Sequence, residues 1–163
     1  MTRIGVISDT HISNKQDELP AKIIAAFKAV DMIIHCGDIL DLGVLDKLRQ
    51  LCPDVRAVAG NMDSAETKEI LPEKEIITVG KYKIGVAHGY GHPAGLAGAM
   101  EKIFKADAVD AIVFGHSHTP LNERRKGILF FNPGSPTDKV FAPFNSYGIL
   151  EINDRIKGKI IKI

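Results

Sequence analysis

Two histidines stand two positions apart, directly after an apolar run in the C-terminal half of the chain. They are His116 and His118, and the run before them covers residues 111–114. That run is typical of a buried strand, whose end gains little from two polar rings unless the rings share a partner. Imidazole nitrogens are common ligands of divalent transition metals. A metal site is therefore the first hypothesis, and a pair of solvated histidines is the alternative.

Polar donors follow four earlier apolar runs in the same way. The runs cover residues 4–7, 32–34, 55–58 and 83–86, and successive polar corners lie roughly 23 to 29 residues apart, close to the length of a strand–helix–strand unit. Ligands collect at the carboxyl ends of the strands in open α/β sheets, so these corners are expected to converge. The donors that they offer are Asp9, His11, Asp38, Asn61, His88, His116 and His118.

The type and number of these donors favour two metal ions over one. All of them are oxygen or imidazole ligands, and the absence of a thiolate argues against a closed structural zinc site. Seven ligands exceed what one ion takes from a protein, whereas two ions that share a carboxylate would use them all. Each residue alone has another interpretation: the aspartates as turn or cap residues, Asn61 as a turn residue, His88 as a hydrogen-bonded structural histidine. Their common position at strand ends favours the metal interpretation for the set.

Helical segments between the runs would position these corners. Residues 17–30, 41–51 and 95–105 space their apolar side chains as amphipathic helices do, and Asp41 stands where it can cap the second of them. After Pro120 the chain reads as strands joined by turns, which predicts a mostly antiparallel sheet in the last third. The pattern therefore predicts an α/β fold with a β-rich C-terminal portion, as one domain over residues 1–163.

The bulk properties exclude several classes of protein. The 163 residues are 45% apolar and 25% charged with a net charge of +1, which matches an average soluble protein and gives no field to attract nucleic acid or anionic lipid. No apolar run approaches the roughly 20 residues that cross a bilayer. The first apolar run reaches Asp9 too early for a secretory signal, and Cys36 and Cys52 are expected to be reduced and buried. A cytoplasmic protein without a membrane partner is predicted.

The order and spacing of the polar corners resemble the calcineurin-like metallophosphoesterase family. The compact length and the β-rich tail resemble its small bacterial and archaeal phosphodiesterase branch. The resemblance implies an α/β fold in which two β-sheets pack face to face and are flanked by helices (an αββα sandwich), with the metal site at the C-terminal ends of the strands. The segments that carry the resemblance are Asp9-Thr10-His11, Gly37-Asp38, Gly60-Asn61-Met62-Asp63, His88-Gly89, Gly115-His116-Ser117-His118 and Asn132-Pro133-Gly134-Ser135.

The resemblance also implies which residue holds which ion. Two divalent ions per chain are expected, Mn²⁺ by preference, with Ni²⁺, Zn²⁺ or Fe as alternatives. The implied reaction is hydrolysis of a small phosphodiester by metal-activated hydroxide, with Asp38, Asn61 and Asp63 as catalytic residues; a homo-oligomer is left open. The first ion would be held by Asp9, His11 and His118, and the second by Asn61, His88 and His116, with Asp38 as the bridge between them.

One position departs from the family pattern. Many members carry a histidine after Gly-Asn, where it pairs with the following acid and either protonates the leaving group or contacts the phosphate. Here the residue is Met62, which cannot donate a proton, and only the acid, Asp63, is kept. His92 is a candidate replacement donor, although a surface histidine is the favoured interpretation, and His35 reads as a core histidine. Two other functions stay open: a protein-interaction scaffold, as in a retromer subunit that shares the fold, and a metallohydrolase of non-phosphate substrates.

Overall fold

Two five-stranded sheets form the centre of the molecule. The computed structural model describes residues 1–14 and 16–163. The first sheet has the strand order β10-β9-β1-β2-β3 and the second β4-β5-β6-β8-β7. The strands of the first sheet are β1 (Thr2–Ile7), β2 (Met32–His35), β3 (Val55–Ala57), β9 (Ser146–Ile152) and β10 (Ile156–Lys162); those of the second are β4 (Lys74–Val79), β5 (Tyr82–Ala87), β6 (Ala111–Val113), β7 (Leu121–Arg125) and β8 (Ile128–Asn132).

Each sheet has three parallel strands at its centre or on one side. In the first sheet β1, β2 and β3 run parallel, β9 pairs antiparallel with β1, and β10 pairs antiparallel with β9. In the second sheet β5, β6 and β8 run parallel, and β4 and β7 pair with the outer two in antiparallel fashion. The carboxyl ends of the parallel strands are where polar residues follow apolar runs in the sequence.

Apolar side chains fill three layers between these elements. One buried cluster lies between the sheets and joins Ile4 and Ile34 of the first to Val86 and Phe131 of the second. A second cluster packs the first sheet against helices α1 (Ala21–Phe27) and α2 (Gly43–Leu51), and a third packs the second sheet against α4 (Leu96–Ile103). A short helix, α3 (Ala65–Ile70), follows β3. The sandwich of two sheets flanked by helices confirms the predicted fold class.

The helices differ from the sequence prediction mainly at their ends. The helix predicted over residues 17–30 covers only Ala21–Phe27 and begins directly after Pro20, because proline favours the first position of a helix and restricts the residue before it. The N-cap of α2 is Leu42 rather than the predicted Asp41, whose side chain accepts a hydrogen bond from the Gly43 amide at 2.7 Å one residue further from the helix. The helix predicted over residues 95–105 covers Leu96–Ile103 and follows a 3₁₀ turn.

The C-terminal strands do not form one antiparallel sheet as predicted. They form two hairpins, and β7 and β8 join the second sheet while β9 and β10 join the first. The β8 strand even pairs in parallel with β6. The short helix α3 and the strand β4 were not predicted at all. Within the described part of the chain, no helix has both the length and the apolarity to cross a membrane, and Cys36 and Cys52 are buried free thiols.

Candidate metal centre

The carboxyl ends of five parallel strands bring all seven predicted ligands together. Three of these strands belong to the first sheet and two to the second, so the site spans the end of the sandwich. The ligands are Asp9 and His11 after β1, Asp38 after β2, Asn61 after β3, His88 after β5, and His116 and His118 after β6.

One group of ligand atoms lies around Asp9, which is fully buried. The Nε2 atoms of His11 and His118 are 3.3 Å apart, and the Asp9 Oδ1 atom lies 3.3 Å from His118 Nε2 and 3.9 Å from His11 Nε2. Three potential ligand atoms therefore surround one point. This is the trio that the resemblance assigns to the first ion.

A second group lies around the side-chain oxygen of Asn61. The Asn61 Oδ1 atom is 3.0 Å from His88 Nε2 and 3.0 Å from His116 Nδ1. The other ring nitrogens face backbone carbonyls, with His88 Nδ1 2.7 Å from the Cys36 oxygen and His116 Nε2 2.9 Å from the Gly91 oxygen. A carbonyl can only accept a hydrogen bond, so each ring must donate there and turns an unprotonated nitrogen toward Asn61. Three electron-pair donors that face each other fit a metal cation between them.

Asp38 stands between the two groups. Its Oδ2 atom lies 3.5 Å from His11 Nε2 and 3.4 Å from His88 Nε2, so a single oxygen faces one histidine of each group. Its other oxygen, Oδ1, accepts a hydrogen bond from the Met62 amide at 2.8 Å. One oxygen is thus fixed by backbone while the other is left to face both groups, which is the arrangement that a bridging carboxylate needs.

Asp9 carries an oxygen that accepts no hydrogen bond from the described residues. Its Oδ2 atom accepts hydrogen bonds from the Ser8 hydroxyl at 2.6 Å and the His116 amide at 3.0 Å. Its Oδ1 atom is buried and has no hydrogen-bond partner in the described structure. Leaving a charged oxygen without a partner inside a protein is costly unless a cation lies close to it. The donor set and this oxygen therefore fit a divalent metal ion.

Close contacts between carboxylates and histidines shift the pKa values of the centre. Burial would raise the pKa of Asp9, but contacts with His11 and His118 outweigh it and hold that pKa well below its ordinary value. The contact with the Asp9 carboxylate, at 3.3 Å, raises the pKa of His118 to about 9, against the opposing effect of burial. Burial also opposes the charged form of His88, yet its contact with Asp38 raises that pKa. A proton and a cation therefore compete for the nitrogens of His88 and His118 that face the centre.

The backbone of the site is held in a rare conformation. Five of the ligands have positive φ angles: Asp9 at 53°, His11 at 46°, Asp38 at 55°, His116 at 68° and His118 at 56°. Residues with a Cβ seldom adopt this left-handed region, and such residues concentrate at functional sites, where the surrounding structure maintains them.

Two glycines let the ligand-bearing turns approach each other closely. A Cβ on Gly60 would lie 2.2 Å from Asp38 Oδ1, and one on Gly115 would lie 1.8 Å from the Ser8 hydroxyl oxygen. Both distances are far below van der Waals contact, so only glycine fits at either position. The Gly-Asn and Gly-His pairs of the sequence are therefore required by packing as well as by the ligands that they carry.

Comparison with known proteins identifies the family. A family model described as the calcineurin-like phosphoesterase superfamily domain matches residues 2–155. The chain belongs to this superfamily.

Two relatives of this chain come from Methanocaldococcus jannaschii. The chain is 42% identical over 161 residues to a probable metallophosphoesterase, which covers 98% of this chain and 81% of the relative. It is 28% identical over 147 residues to a phosphodiesterase, covering 81% of this chain and 82% of the relative. A solved structure of wild-type Vps29 from Entamoeba histolytica, complexed with Zn²⁺, has 26% identity, a TM-score of 0.78 and coverage of 99% of both chains.

Asp63 holds the backbone of two ligand-bearing turns. Its buried carboxylate accepts hydrogen bonds from four backbone amides, those of Gly60 at 2.7 Å, Asp38 at 3.0 Å, Ile39 at 2.7 Å and Leu40 at 2.9 Å. These contacts tie the turn after β3 to the turn after β2 and so hold Asp38 and Asn61 in register. The catalytic role that the resemblance gave to Asp63 stays a prediction, since both of its oxygens already serve the backbone.

The other singled-out residues fall into two classes. Met62 is 58% exposed beside the centre. His92 is exposed too, and its Nδ1 accepts a hydrogen bond from the Ala94 amide at 3.3 Å, so it begins the 3₁₀ turn.

His35 is fully buried; its Nδ1 accepts a hydrogen bond from the Gly37 amide and its Nε2 faces the Thr10 hydroxyl. Burial lowers its pKa to about 4. It is a neutral core histidine, in agreement with the sequence prediction.

Asp138 contacts the ligand His118, although no pattern in the sequence predicts this. Its Oδ2 atom lies 2.5 Å from His118 Nδ1, which makes that nitrogen the donor and turns Nε2 toward Asp9. The amides of Val140 and Ala142 also donate to this carboxylate. Burial would raise the pKa of Asp138, but the Val140 and Phe141 amides and His118 outweigh it and lower that pKa to about 2. The residue lies in an irregular segment after β8, where neither periodicity nor ligand spacing could identify it.

Proposed function

We propose that this chain is a dinuclear metal-dependent phosphodiesterase. The observation that carries the proposal is the position of Asp38, one oxygen of which faces His11 of one ligand group and His88 of the other at 3.5 and 3.4 Å. A carboxylate between two sets of electron-pair donors suits a pair of cations, because it offsets their mutual repulsion. Asp9, His11 and His118 would hold one ion, and Asn61, His88 and His116 the other.

Two divalent ions, when bound, would lower the pKa of a water and stabilise the negative charge that develops on the phosphate oxygens. The chain itself positions the ligands for this chemistry. The Lys68 ammonium donates a hydrogen bond to the Asn61 carbonyl at 2.9 Å, and Asp63 holds the preceding glycine. Asn61 is exposed and coordinates without adding negative charge, so it can serve at the edge that meets an anionic phosphate.

Manganese is the metal that we propose for both positions. The ligand set is made only of oxygen and imidazole nitrogen, which suits Mn²⁺ but also accepts Ni²⁺, Zn²⁺ and Fe²⁺. Because affinity rises toward the later ions of that series, the ion found after expression reflects supply as much as preference. Reconstitution of the chelated protein with each ion in turn would rank them by activity.

Diesters are proposed over monoesters because of the similarity to the archaeal phosphodiesterase and the absence of an imidazole at Met62. A leaving group that needs a proton gains no help from a thioether, so rapid turnover is expected only for acidic leaving groups. The substrate class would then be small phosphodiesters. The two buried free thiols fit the reducing conditions of the cytoplasm, which we propose as the compartment.

The test uses the chelated protein reloaded with Mn²⁺ and two substrates, bis(p-nitrophenyl) phosphate and p-nitrophenyl phosphate. We expect metal-dependent release of nitrophenolate from the diester, and a lower kcat/KM for the monoester. Surface variant Asp46→Asn, remote from the ligands on α2, serves as the matched control for variant Asp38→Asn. If the metal-loaded protein hydrolyses neither ester, or hydrolyses carboxylic esters better, the proposal is wrong.

A protein-interaction scaffold with little hydrolase activity is the second candidate. The observation in its favour is the similarity to Vps29 over the whole chain, at 26% identity and a TM-score of 0.78. The complete set of seven ligand residues favours the enzyme instead. The two candidates differ in the expected effect of Asp38→Asn. If the protein is an enzyme, the variant loses the hydrolytic activity of the wild type; if it is a scaffold with a vestigial site, the wild type and the variant are both inactive.

A further inference from the structure

Two cavities open beside the metal centre, one next to each ligand group. The Tyr90 cavity has a volume of about 510 Å³, and Gly60, Asn61, Lys68, Tyr90 and Ile103 are among the residues that line it. The Phe141 cavity has a volume of about 670 Å³ and includes His11, His118, Asp17, Lys139 and Phe141 in its lining. They share no lining residue, and each borders ligands of only one group. Both fall in the size range of small-molecule sites.

The exposed phenylalanine and tyrosine rings of the protein are found in these two cavities. The chain has seven phenylalanines and three tyrosines, all within the described residues. Eight of the ten are buried or partly buried, whereas Tyr90 is 60% and Phe141 is 77% exposed. One of these two exposed rings lines each cavity. An exposed ring beside a ligand site suits stacking against a flat group, which is favourable for any aromatic ring or nucleobase.

Charge at the Phe141 cavity limits what can enter it. Three acids, Asp17, Glu18 and Asp138, line this cavity together with one lysine, Lys139, and Glu18 also pairs with Lys47 at 3.8 Å. Carboxylates repel a second phosphate group, so the substituent that fits here is uncharged. The edge of the Phe141 ring meets His118, with ring centroids 6.4 Å apart, so a flat group stacked on Phe141 would stand beside the first ligand group.

From these observations we propose that the substrate is a phosphodiester with a flat ring on each side, one stacked on Tyr90 and the other on Phe141. The inference rests on the proposed phosphodiesterase function and names its substrate class. A diester phosphate held at the centre has two substituents, and two separate cavities receive them. A monoester has one substituent and fills only one cavity.

The experiment compares three diesters that all release p-nitrophenolate: bis(p-nitrophenyl) phosphate, thymidine 5′-(p-nitrophenyl phosphate) and methyl p-nitrophenyl phosphate. The second substituent is an aryl ring, a nucleoside or a methyl group, so the first two arms separate a simple aryl group from a nucleobase. The Mn²⁺-loaded wild type is compared with variants Tyr90→Ala and Phe141→Ala. Each variant is compared with wild type on the same ester, so that differences in intrinsic reactivity cancel.

We expect each variant to lower kcat/KM about tenfold on at least one ring-bearing diester, the size expected for loss of one stacking contact. On the methyl diester, one of the two variants should match wild type, because the cavity that it alters then receives only a methyl group. Variants Tyr90→Phe and Phe141→Tyr should keep the wild-type values. Val140→Ala is the matched control, since Val140 is 78% exposed on the same segment as Phe141 and lines neither cavity.

Metal content measured beside kcat/KM separates stacking from an indirect effect through His118. Equal losses on all three esters, or a loss in Val140→Ala as large as that in Phe141→Ala, would overturn the two-ring proposal while diester hydrolysis stands. Failure of wild type to hydrolyse any of the three would overturn the proposed function, and the two-ring proposal with it.

Discussion

At the scale of single residues, the chemistry of the centre depends on which ligand atoms are already hydrogen-bonded within the protein. Asp38 uses one oxygen for the Met62 amide and turns the other toward both ligand groups. Asp9 keeps one buried oxygen that accepts no hydrogen bond from the described part of the chain. His88 and His116 direct their second nitrogens at backbone carbonyls. What remains free in each case is a lone pair that faces the centre, which is the property of a metal ligand.

Replacement of Met62 by histidine should restore part of a missing proton donor. An oriented general acid is worth about 100-fold or more, but both oxygens of Asp63 already accept backbone hydrogen bonds. A new imidazole at this exposed position would therefore lack an orienting partner, and we expect Met62→His to raise the rate on alkyl diesters by only about tenfold. The aryl rate should change little. The measurement is a series of leaving groups with Mn²⁺; parallel plots of rate against leaving-group pKa for both proteins would show that Met62 does not limit protonation.

Replacement of Asp138 by asparagine should weaken the first ligand group. The Asp138 carboxylate fixes the tautomer of His118, and removal of such a partner typically costs about 10- to 100-fold in metal affinity. Titration of chelated Asp138→Asn with Mn²⁺ should show one weakened site and one that resembles wild type. Asp46→Asn, on the surface of α2, is the control. Two sites with wild-type affinity would contradict the role given to Asp138.

At the scale of elements, the sequence predicted the strands and their polar ends well. Apolar runs that stop at a glycine, an acid or a histidine identified β1, β2, β3, β5 and β6, because strand and ligand lie next to each other in the chain. The elements that were missed depend on contacts distant in sequence. The β4 strand alternates poorly in burial and is stabilised by its pairing with β5, and α3 has only six residues. Asp138 was missed for the same reason, because it contacts His118 only in the folded chain, across 20 residues of sequence.

Replacement of Gly60 by alanine should disrupt the turn between β3 and α3. The added methyl group would meet Asp38 Oδ1 at 2.2 Å and the Asp38 amide at 2.3 Å, so the bridging carboxylate would have to move. We expect loss of most metal binding and a destabilisation of about 2 kcal/mol or more, as for an overpacked buried site. Gly98→Ala is the matched control: nothing lies within 4 Å of its Cβ position in α4, and it should stabilise by about 0.5–1 kcal/mol. Urea melts and metal analysis of both variants test this; equal behaviour would contradict it.

At the scale of the whole molecule, both ligand groups connect the two sheets. Asp9 and His11 come from the first sheet and His118 from the second, and Asn61 likewise meets His88 and His116 across the sandwich. Metal binding should therefore stabilise the entire fold, by about 2.7 kcal/mol at a free-ion concentration one hundred times the dissociation constant.

The chelated protein should lose stability as the pH rises from 6.5 to 9. The pKa of His118 in the folded protein is about 9, against 6.5 for an ordinary histidine, chiefly because of Asp9. A histidine whose pKa is raised by folding stabilises the folded protein fully when the pH is below its pKa in the unfolded chain. This stabilisation disappears as the pH rises through its pKa in the folded protein. The Mn²⁺-loaded protein should show no such fall, because the ion replaces the proton. Thermal melts of both forms across this pH range test it; parallel pH profiles would contradict it.

The count of metal ions per chain tests the central claim most directly. Chelated protein reloaded with Mn²⁺ and freed of excess ion should contain two ions by elemental analysis. Anomalous scattering should locate one among Asp9, His11 and His118 and the other among Asn61, His88 and His116, with Asp38 in contact with both. Asp38→Asn should lose metal at both positions, whereas His118→Ala should chiefly weaken the first. No more than one weakly bound ion in wild type, or two ions retained by Asp38→Asn with wild-type turnover, would contradict the dinuclear account.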